Sequence, residues 1–275
     1  MSTGHLQDAD RPAARNAPGQ RTTVLGWYAV AAALFFAVPF VGTDRLGLQP
    51  DAFYLGYFTI ALAFLAAFLS SYAAELRGLW TPRWWQSLAV GGVVGAALAV
   101  GISRQDGVAH AEGWRYAFEV VWRGVVYGTA DALTLFVFPA AVAYLVMRGD
   151  RSGVKRRTAF AGLTLALSMV VTATYHLGYS EFRDGTIRNP EIGAVMANIP
   201  TALTGNPVGA VAAHTTMHVA AVVHQRDGGE QHMLPPRVDA AYPDHGSDDL
   251  AAGLAVCWLV AAAAASALVL RRRPR

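Results

Sequence analysis

The chain has 275 residues, of which 54% are hydrophobic and 15% are charged, and its formal net charge is +3. The apolar residues form long unbroken runs, which is typical of helices in lipid and excludes a soluble domain built from amphipathic stripes. The basic residues lie at the ends of these runs, where they orient a chain in a membrane, so we expect the lipid bilayer and no nucleic acid as a partner.

Residues 1–22 are polar and are expected to form a disordered N-terminal tail. They carry Arg11, Arg15 and Arg21 among Pro, Gly and Asn. The apolar run that follows is long enough to span a bilayer, and no small-residue cleavage site stands out after it. We therefore expect no cleaved signal peptide.

The remaining apolar segments predict an all-α, polytopic transmembrane helix bundle of about eight crossings over residues 23–271, followed by a basic tail at 272–275. The crossings are expected at about 24–42, 53–73, 86–102, 118–147, 158–179, 191–204, 207–225 and 250–270. The sixth is short, since it covers only about 20 Å at the α-helical rise. It predicts either a thin crossing or a re-entrant segment buried against protein.

Basic clusters predict the orientation of the bundle. The loop 148–157 is rich in Arg and Lys, and the chain ends in an Arg-rich tail at 271–275. By the positive-inside rule both are cytoplasmic, and an even number of crossings must separate them. This favours a crossing at 191–204 and places the acidic loop 226–249 outside.

The composition also indicates a source and a location. Alanine is abundant and Lys155 is the only lysine, which hints at a high-GC bacterial genome. We expect a multi-pass protein of the bacterial plasma membrane with both termini in the cytoplasm. The single cysteine, Cys257, lies in an apolar run, so it predicts ordinary helix packing and no intramolecular disulfide.

Two small-residue spacings predict close helix contacts. Gly91 and Gly95 are four residues apart, and so are Gly124 and Gly128. Glycines at this spacing let two helix backbones approach closely in a membrane.

Seven ionisable side chains fall inside the predicted spans, where each costs a few kcal/mol unless it has a partner or a purpose. They are Glu119, Arg123, Asp131, His176, His214, His218 and His224.

The acidic members of this set have different expected partners. Glu119 and Arg123 are four residues apart, in the favourable order for a helical ion pair. Asp131 has no helical partner at that spacing. We therefore expect Asp131 either to bond a Ser, Thr or Tyr side chain of another helix or to be protonated. In both cases the expected role is structural.

The histidines point to a shared site. His214 and His218 are four residues apart on one helix face, a spacing that suits a metal ion or a pair of hydrogen-bond donors. The expected depths predict that Glu119, His176, His214 and His218 surround one cavity that opens toward one side. His224 lies near the end of its helix and is expected to be interfacial.

The order of these polar residues resembles the CAAX protease and bacteriocin-processing family, also called CPBP or Abi. The family's motifs are Glu-Glu-xxx-Arg, Phe-xxx-His and His-xxx-Asn. Here they would be Phe118-Glu119-Val-Val-Trp-Arg123-Gly124, then Thr172-xxx-His176, then His214-Thr-Thr-Met-His218. Phe118, Thr172 and His218 depart from the family's pattern.

The resemblance implies an intramembrane endopeptidase of the CAAX-protease type that hydrolyses a membrane-associated peptide or protein without a cofactor. It makes Glu119 the base and gives His176 the task of positioning or activating water. His214 and His218 would stabilise the oxyanion, and Arg123 would hold Glu119.

Two alternatives stay open. Phe118 stands where the family has its first glutamate, which favours a non-catalytic member of the fold that binds a protein or lipid. His176, His214 and His218 with Glu119 also make a reasonable ligand set for a metal or haem.

Overall fold

The computed structural model describes residues 19–105, 112–183, 185–224, 234–235 and 250–261. Within these ranges all regular secondary structure is helical, as the sequence predicts. Five of the described helices are long and apolar enough to cross a membrane. They are Gln20–Arg45 (α1), Pro50–Ser71 (α2), Trp84–Ile102 (α4), Gly113–Val146 (α5) and Gly153–Leu177 (α6).

The remaining described helices are shorter. They are Arg77–Trp80 (α3), Arg188–Thr204 (α7), Val208–Val223 (α8) and Leu250–Ala261 (α9), and a 3₁₀ turn, Ser180–Phe182, follows α6. The predicted crossings at 191–204, 207–225 and 250–270 correspond to α7, α8 and the described part of α9. The predicted N-terminal tail is described only from residue 19, and because α1 begins at Gln20, residues 20–22 are helical and not part of a disordered tail. The predicted tail at 272–275 lies outside the described residues, and so does the acidic loop except for Leu234 and Pro235.

Helix α5 is the central element of the bundle, because 83% of its most apolar stretch is buried. Its hydrogen bonding changes twice to the π pattern, at Val120–Val126 and at Leu133–Val137. Such π turns are rare in proteins, and those that occur often lie at functional sites. The second one precedes Pro139, which lacks the N–H that an uninterrupted α-helix would use.

Helix α8 packs closely against both α4 and α5, and glycines make this contact possible. A Cβ on Gly91 would lie 2.2 Å from the Gly209 carbonyl oxygen, and one on Gly128 would lie 2.8 Å from the His218 side chain. Gly95 and Gly124 also lie against α8. The predicted role of the two glycine pairs is therefore confirmed.

The segments that connect the helices lie at two ends of the bundle, as the contacts between them show. At one end, the basic end, Arg151 donates to the carbonyl oxygen of Gly78 at 2.6 Å and to that of Gly205. At the opposite end, Arg183 pairs with Asp44 at 2.6 Å, and His224 Nε2 lies 2.9 Å from the Gln105 carbonyl oxygen. Along the chain, one interhelical connection therefore lies at one end of the bundle and the next lies at the other end.

The basic end also carries the start of α6. The backbone N–H and the hydroxyl of Ser152 both donate to the Asp150 carboxylate, and these bonds lower the pKa of that carboxyl. The outer surface of the bundle is apolar, with Val93 71% exposed on α4 and Leu25 49% exposed on α1. Apolar surface of this extent suits contact with lipid, as expected for a membrane protein.

Candidate functional site

A cavity of about 460 Å³ lies between α5, α6, α7 and α8. Its polar lining includes Asp131, His176, His214 and His218, and we call it the histidine cavity. The three histidines that the sequence singles out for a shared site therefore line one space. They come from two helices, and Asp131 comes from a third.

The histidine cavity extends from the buried interior to the surface at the end of the bundle opposite the basic end. Gln105, Thr186 and Asn189 are exposed and line its outer part. Leu234 and Pro235 also line it, and the Pro235 carbonyl oxygen accepts a hydrogen bond of 2.6 Å from the Tyr54 hydroxyl. A molecule could therefore reach the buried polar groups from that end.

His214 and His218 form a close pair at the buried end of the cavity. Their Nε2 atoms are 3.1 Å apart, and the side chains are only 6% and 3% exposed. The spacing of four residues along α8 places both rings on one face, and Gly128 gives the His218 ring room against α5. In this contact one Nε2 donates and the other accepts.

Asp131 faces this histidine pair from α5. Its Oδ1 atom accepts a hydrogen bond of 2.7 Å from the Tyr57 hydroxyl of α2. Its Oδ2 atom lies 3.9 Å from His214 Nε2 and 4.0 Å from His218 Nε2. The predicted hydroxyl partner from another helix is present, and the second carboxylate oxygen is directed at the imidazoles.

Buried tyrosines surround the carboxylate. The Tyr127 and Tyr175 hydroxyls are 2.6 Å apart, and Tyr179 donates to Tyr175 at 2.7 Å. The Tyr57 ring stacks on the Tyr175 ring at 5.2 Å. These contacts fix the positions of the rings, so the hydroxyl that orients Asp131 is held in place.

His176 is set in one tautomer by its backbone contact. Its Nδ1 atom lies 2.8 Å from the Thr172 carbonyl oxygen. Because a carbonyl oxygen can only accept, Nδ1 carries the proton and Nε2 of the neutral ring is left as an acceptor. An imidazole prepared in this way can take a proton from water or bind a cation.

Glu119 lies outside the histidine cavity. It is twelve positions before Asp131 in the same helix, about 18 Å at the α-helical rise. Its carboxylate lies 3.3 Å from the Arg123 guanidinium and 3.6 Å from that of Arg115. The expected helical ion pair with Arg123 is present, but the expected place of Glu119 beside the histidines is taken by Asp131.

Arg123 belongs to the same ion-pair cluster. Its guanidinium binds the Asp51 carboxylate through two hydrogen bonds, of 2.9 and 3.1 Å. Arg115 also pairs with Asp51, whose side chain is fully buried. The two arginines and two acids tie the start of α2 to the first turns of α5, a structural arrangement.

Sequence reasoning missed Asp51 and Arg115 as members of this cluster, and it gave Asp131 only a structural role. Asp51 directly follows Pro50 at the start of an apolar run, where an acidic residue is common at any helix N-terminus. The isolation of Asp131 between apolar residues was the available signal that it meets polar groups of other helices.

Asp131, His214 and His218 together could hold a metal ion. One ligand atom from each lies within 4.8 Å of the other two, and all three side chains are buried.

Comparison with protein-family models, with curated proteins and with solved structures finds no match to this chain. The class of protein is therefore defined by the fold and the site alone. The described residues form a helical membrane protein with one carboxylate and three imidazoles around a cavity that reaches the surface.

Proposed function

We propose that the protein is an intramembrane peptidase of the CPBP type that hydrolyses a peptide bond in the histidine cavity. The observation that carries the proposal is the convergence of His176, His214 and His218 on one space that reaches the surface. The motif resemblance supports it, since these are the residues matched to the family's second and third motifs.

His176 is the general base of the proposed reaction. Its free Nε2 accepts a proton from water as the water oxygen attacks the peptide carbonyl carbon. The new C–O bond gives a tetrahedral intermediate. When the C–N bond breaks, the same proton passes from His176 to the departing amine, and the products are a carboxyl and an amino group.

His214 and His218 stabilise the oxyanion of that intermediate. The Nε2–H that one ring donates to the other in the resting pair would turn to the developing charge, and burial strengthens this interaction. Glu119 and Arg123, which the resemblance places in the catalytic set, serve here to fix α5 against α2.

The alternating loop contacts support the further proposal of eight crossings in a bacterial plasma membrane. Helices α7 and α8 each connect the two ends of the bundle, although they are short. The basic end, with loop 148–157, would face the cytoplasm together with both termini. The histidine cavity would then open toward the outer leaflet.

Cleavage of membrane-anchored peptides by the purified protein tests the proposal. We expect the wild type to cleave, with products identified by mass spectrometry, and His176→Ala to lower kcat/KM about 10²–10⁴-fold. His224→Ala is the matched control, because His224 lies at the end of α8 with its ring on the Gln105 carbonyl. Undiminished cleavage by His176→Ala would falsify the assignment of the base.

A comparison of two acid-to-amide changes tests which carboxylate serves the reaction. Asp131→Asn acts inside the cavity, whereas Glu119→Gln acts in the ion-pair cluster. We expect the larger loss of kcat/KM from Asp131→Asn, because this carboxylate faces the His214–His218 pair, and the larger loss of thermal stability from Glu119→Gln. The reverse ranking for kcat/KM would return the role of base to Glu119.

A second candidate is a non-catalytic protein of the same fold that binds a protein or lipid partner. The observation that favours it is the engagement of Glu119 by two arginines, together with Phe118 at the position of the family's first glutamate. If His176→Ala left the cellular function intact while a loop substitution at the cavity entrance removed it, this candidate would replace the peptidase.

A further inference from the structure

We infer that Asp131, His214 and His218 form a binding site for one divalent first-row transition metal ion such as Zn²⁺. The inference deepens the proposed function, because the ion would act in the same cavity. It depends on that function only for what the ion does, and its binding can be measured separately.

The distances between the ligand atoms fit a single ion. Bonds of about 2.0–2.1 Å to imidazole nitrogens place two nitrogens of a tetrahedral site about 3.3 Å apart. The Nε2 atoms of His214 and His218 are 3.1 Å apart. Asp131 Oδ2 lies 3.9 and 4.0 Å from them, so a carboxylate shift of less than about 1 Å completes the geometry.

The electrostatics of the site also favour a cation. The Asp131 side chain is 2% exposed, and among the described residues no Arg or Lys lies within ion-pair distance of it. An ionised carboxylate in such surroundings is costly unless a positive charge accompanies it. A divalent ion between the carboxylate and the two imidazoles supplies that charge.

The imidazole nitrogens define which tautomers the ion would bind. The Nδ1 atoms of His214 and His218 are buried and have no hydrogen-bond partner in the described part of the chain. In the direct contact between the two Nε2 atoms, one Nε2 carries the proton and the lone pair of the other accepts it, so neither lone pair is free. A bound ion instead uses both Nε2 lone pairs and moves both protons to Nδ1. No described residue accepts these protons, so the ion-bound site requires water as their acceptor.

Tyr57 gives the site an outer support. Ligating carboxylates in metal sites are usually held by further hydrogen bonds, which fix their orientation. The Tyr57 hydroxyl bonds Asp131 Oδ1 and leaves Oδ2 for the ion. The carboxylate is therefore positioned before any ion arrives.

Two imidazoles and one carboxylate select borderline transition metals over Ca²⁺ and Mg²⁺, which prefer oxygen ligands. Three protein ligands leave at least one position for water or a substrate carbonyl oxygen, as in catalytic zinc sites. Because both Nε2 atoms would then bind the ion, the ion would polarise that oxygen in place of the Nε2–H donor of the metal-free pair, and His176 would receive the proton of the attacking water.

The inference is tested by the metal content of the full-length protein, purified in detergent without chelators and with an affinity tag that contains no histidine. Elemental analysis is expected to give about one transition metal ion per chain. Asp131→Asn and His214→Gln are expected to lose it, and His224→Ala, on the same helix, is expected to keep it. Zn and Fe are measured separately, so the analysis also identifies the ion.

A second measurement does not depend on the folding of any variant. Chelator-treated wild-type protein is titrated with Co²⁺, and a visible d–d absorption band that Zn²⁺ displaces is expected. Absence of this band together with well under one metal per chain would overturn the inference, as would an unchanged metal content in both Asp131→Asn and His214→Gln.

The same preparations separate this inference from the peptidase proposal. Metal binding without peptide cleavage would support the inference and contradict the peptidase. Cleavage by a preparation that neither contains nor binds metal would overturn the inference and leave the peptidase in place.

Discussion

At the scale of single residues, the surroundings of Asp131 decide what its carboxylate can do. One oxygen is bonded by Tyr57, and the other faces His214 and His218. A carboxylate held in this way has a fixed direction and needs a shift of less than about 1 Å to meet a cation. Its orientation therefore depends on the Tyr57 hydroxyl, which does not line the histidine cavity.

Tyr57→Phe removes that hydroxyl and leaves the ring. We expect the affinity for Co²⁺, measured by the absorption titration, to fall about 10–100-fold because the carboxylate loses its orientation. Tyr28→Phe is the matched control, since Tyr28 donates one hydrogen bond of 2.8 Å to the Leu167 carbonyl. Equal effects of the two substitutions would show that Tyr57 acts only through general stability.

The polar residues of the site could be predicted from the sequence to the extent that local spacing controls them. Four-residue separations place His214 with His218 and Glu119 with Arg123, and the structure has both pairs. The partner of the histidine pair could not be predicted in this way. It is an aspartate from another helix, and contacts between helices depend on packing that single-helix periodicity does not contain.

At the scale of helices, glycines on α4 and α5 let α8 approach both helices closely, and this contact places the histidines of α8 in the interior. Gly209 of α8 lies against the Ser87 carbonyl of α4, and Ser87 also donates to the Asn206 carbonyl at 2.6 Å. This backbone contact fixes the depth of α8 and therefore the height of His214 and His218 in the bundle.

Gly91→Ala is expected to disturb that contact. Its new Cβ would lie 2.2 Å from a backbone oxygen of α8, which cannot rotate away as a side chain can. We expect a loss of about 1–3 kcal/mol, the usual range for overpacking, and a lower Tm in detergent. Gly92→Ala is the control on the same helix, since nothing lies within 4 Å of its Cβ position. Equal melting temperatures for the two variants would contradict the close contact.

The helices themselves were largely predictable. The expected segments 86–102 and 191–204 correspond to Trp84–Ile102 and Arg188–Thr204. The π turns inside α5 could not be predicted, because the residues of Val120–Val126 and Leu133–Val137 are mostly apolar, like those of the other predicted spans. Nothing in their periodicity distinguishes π from α hydrogen bonding.

At the scale of the whole molecule, the loops at the basic end are joined by one side chain. Arg151 bonds the Gly78 and Gly205 carbonyls and lies over the Tyr144 ring at 4.8 Å. The α2–α4, α5–α6 and α7–α8 connections are thus held together at one surface. Positive charge concentrated there gives the bundle two electrostatically different ends.

Cysteine accessibility tests the proposed orientation. In a Cys257→Ala background, Ser152→Cys lies at the basic end and Ser103→Cys near the opposite end, and both positions are exposed. We expect a membrane-impermeant thiol reagent to label Ser103→Cys in intact cells and to label Ser152→Cys only after permeabilisation. Labelling with the opposite preference would invert the topology.

The two π turns of α5 change the helical wheel of this region. Each π turn joins residue i to i+5, so it holds one residue more than an α turn and shifts the angular phase by about 100°. A wheel drawn at constant pitch from Glu119 therefore misplaces every later side chain. Deleting a single residue inside Leu133–Val137 would therefore return this turn to the α pattern and leave both Asp131 and Phe138–Val146 facing their present neighbours.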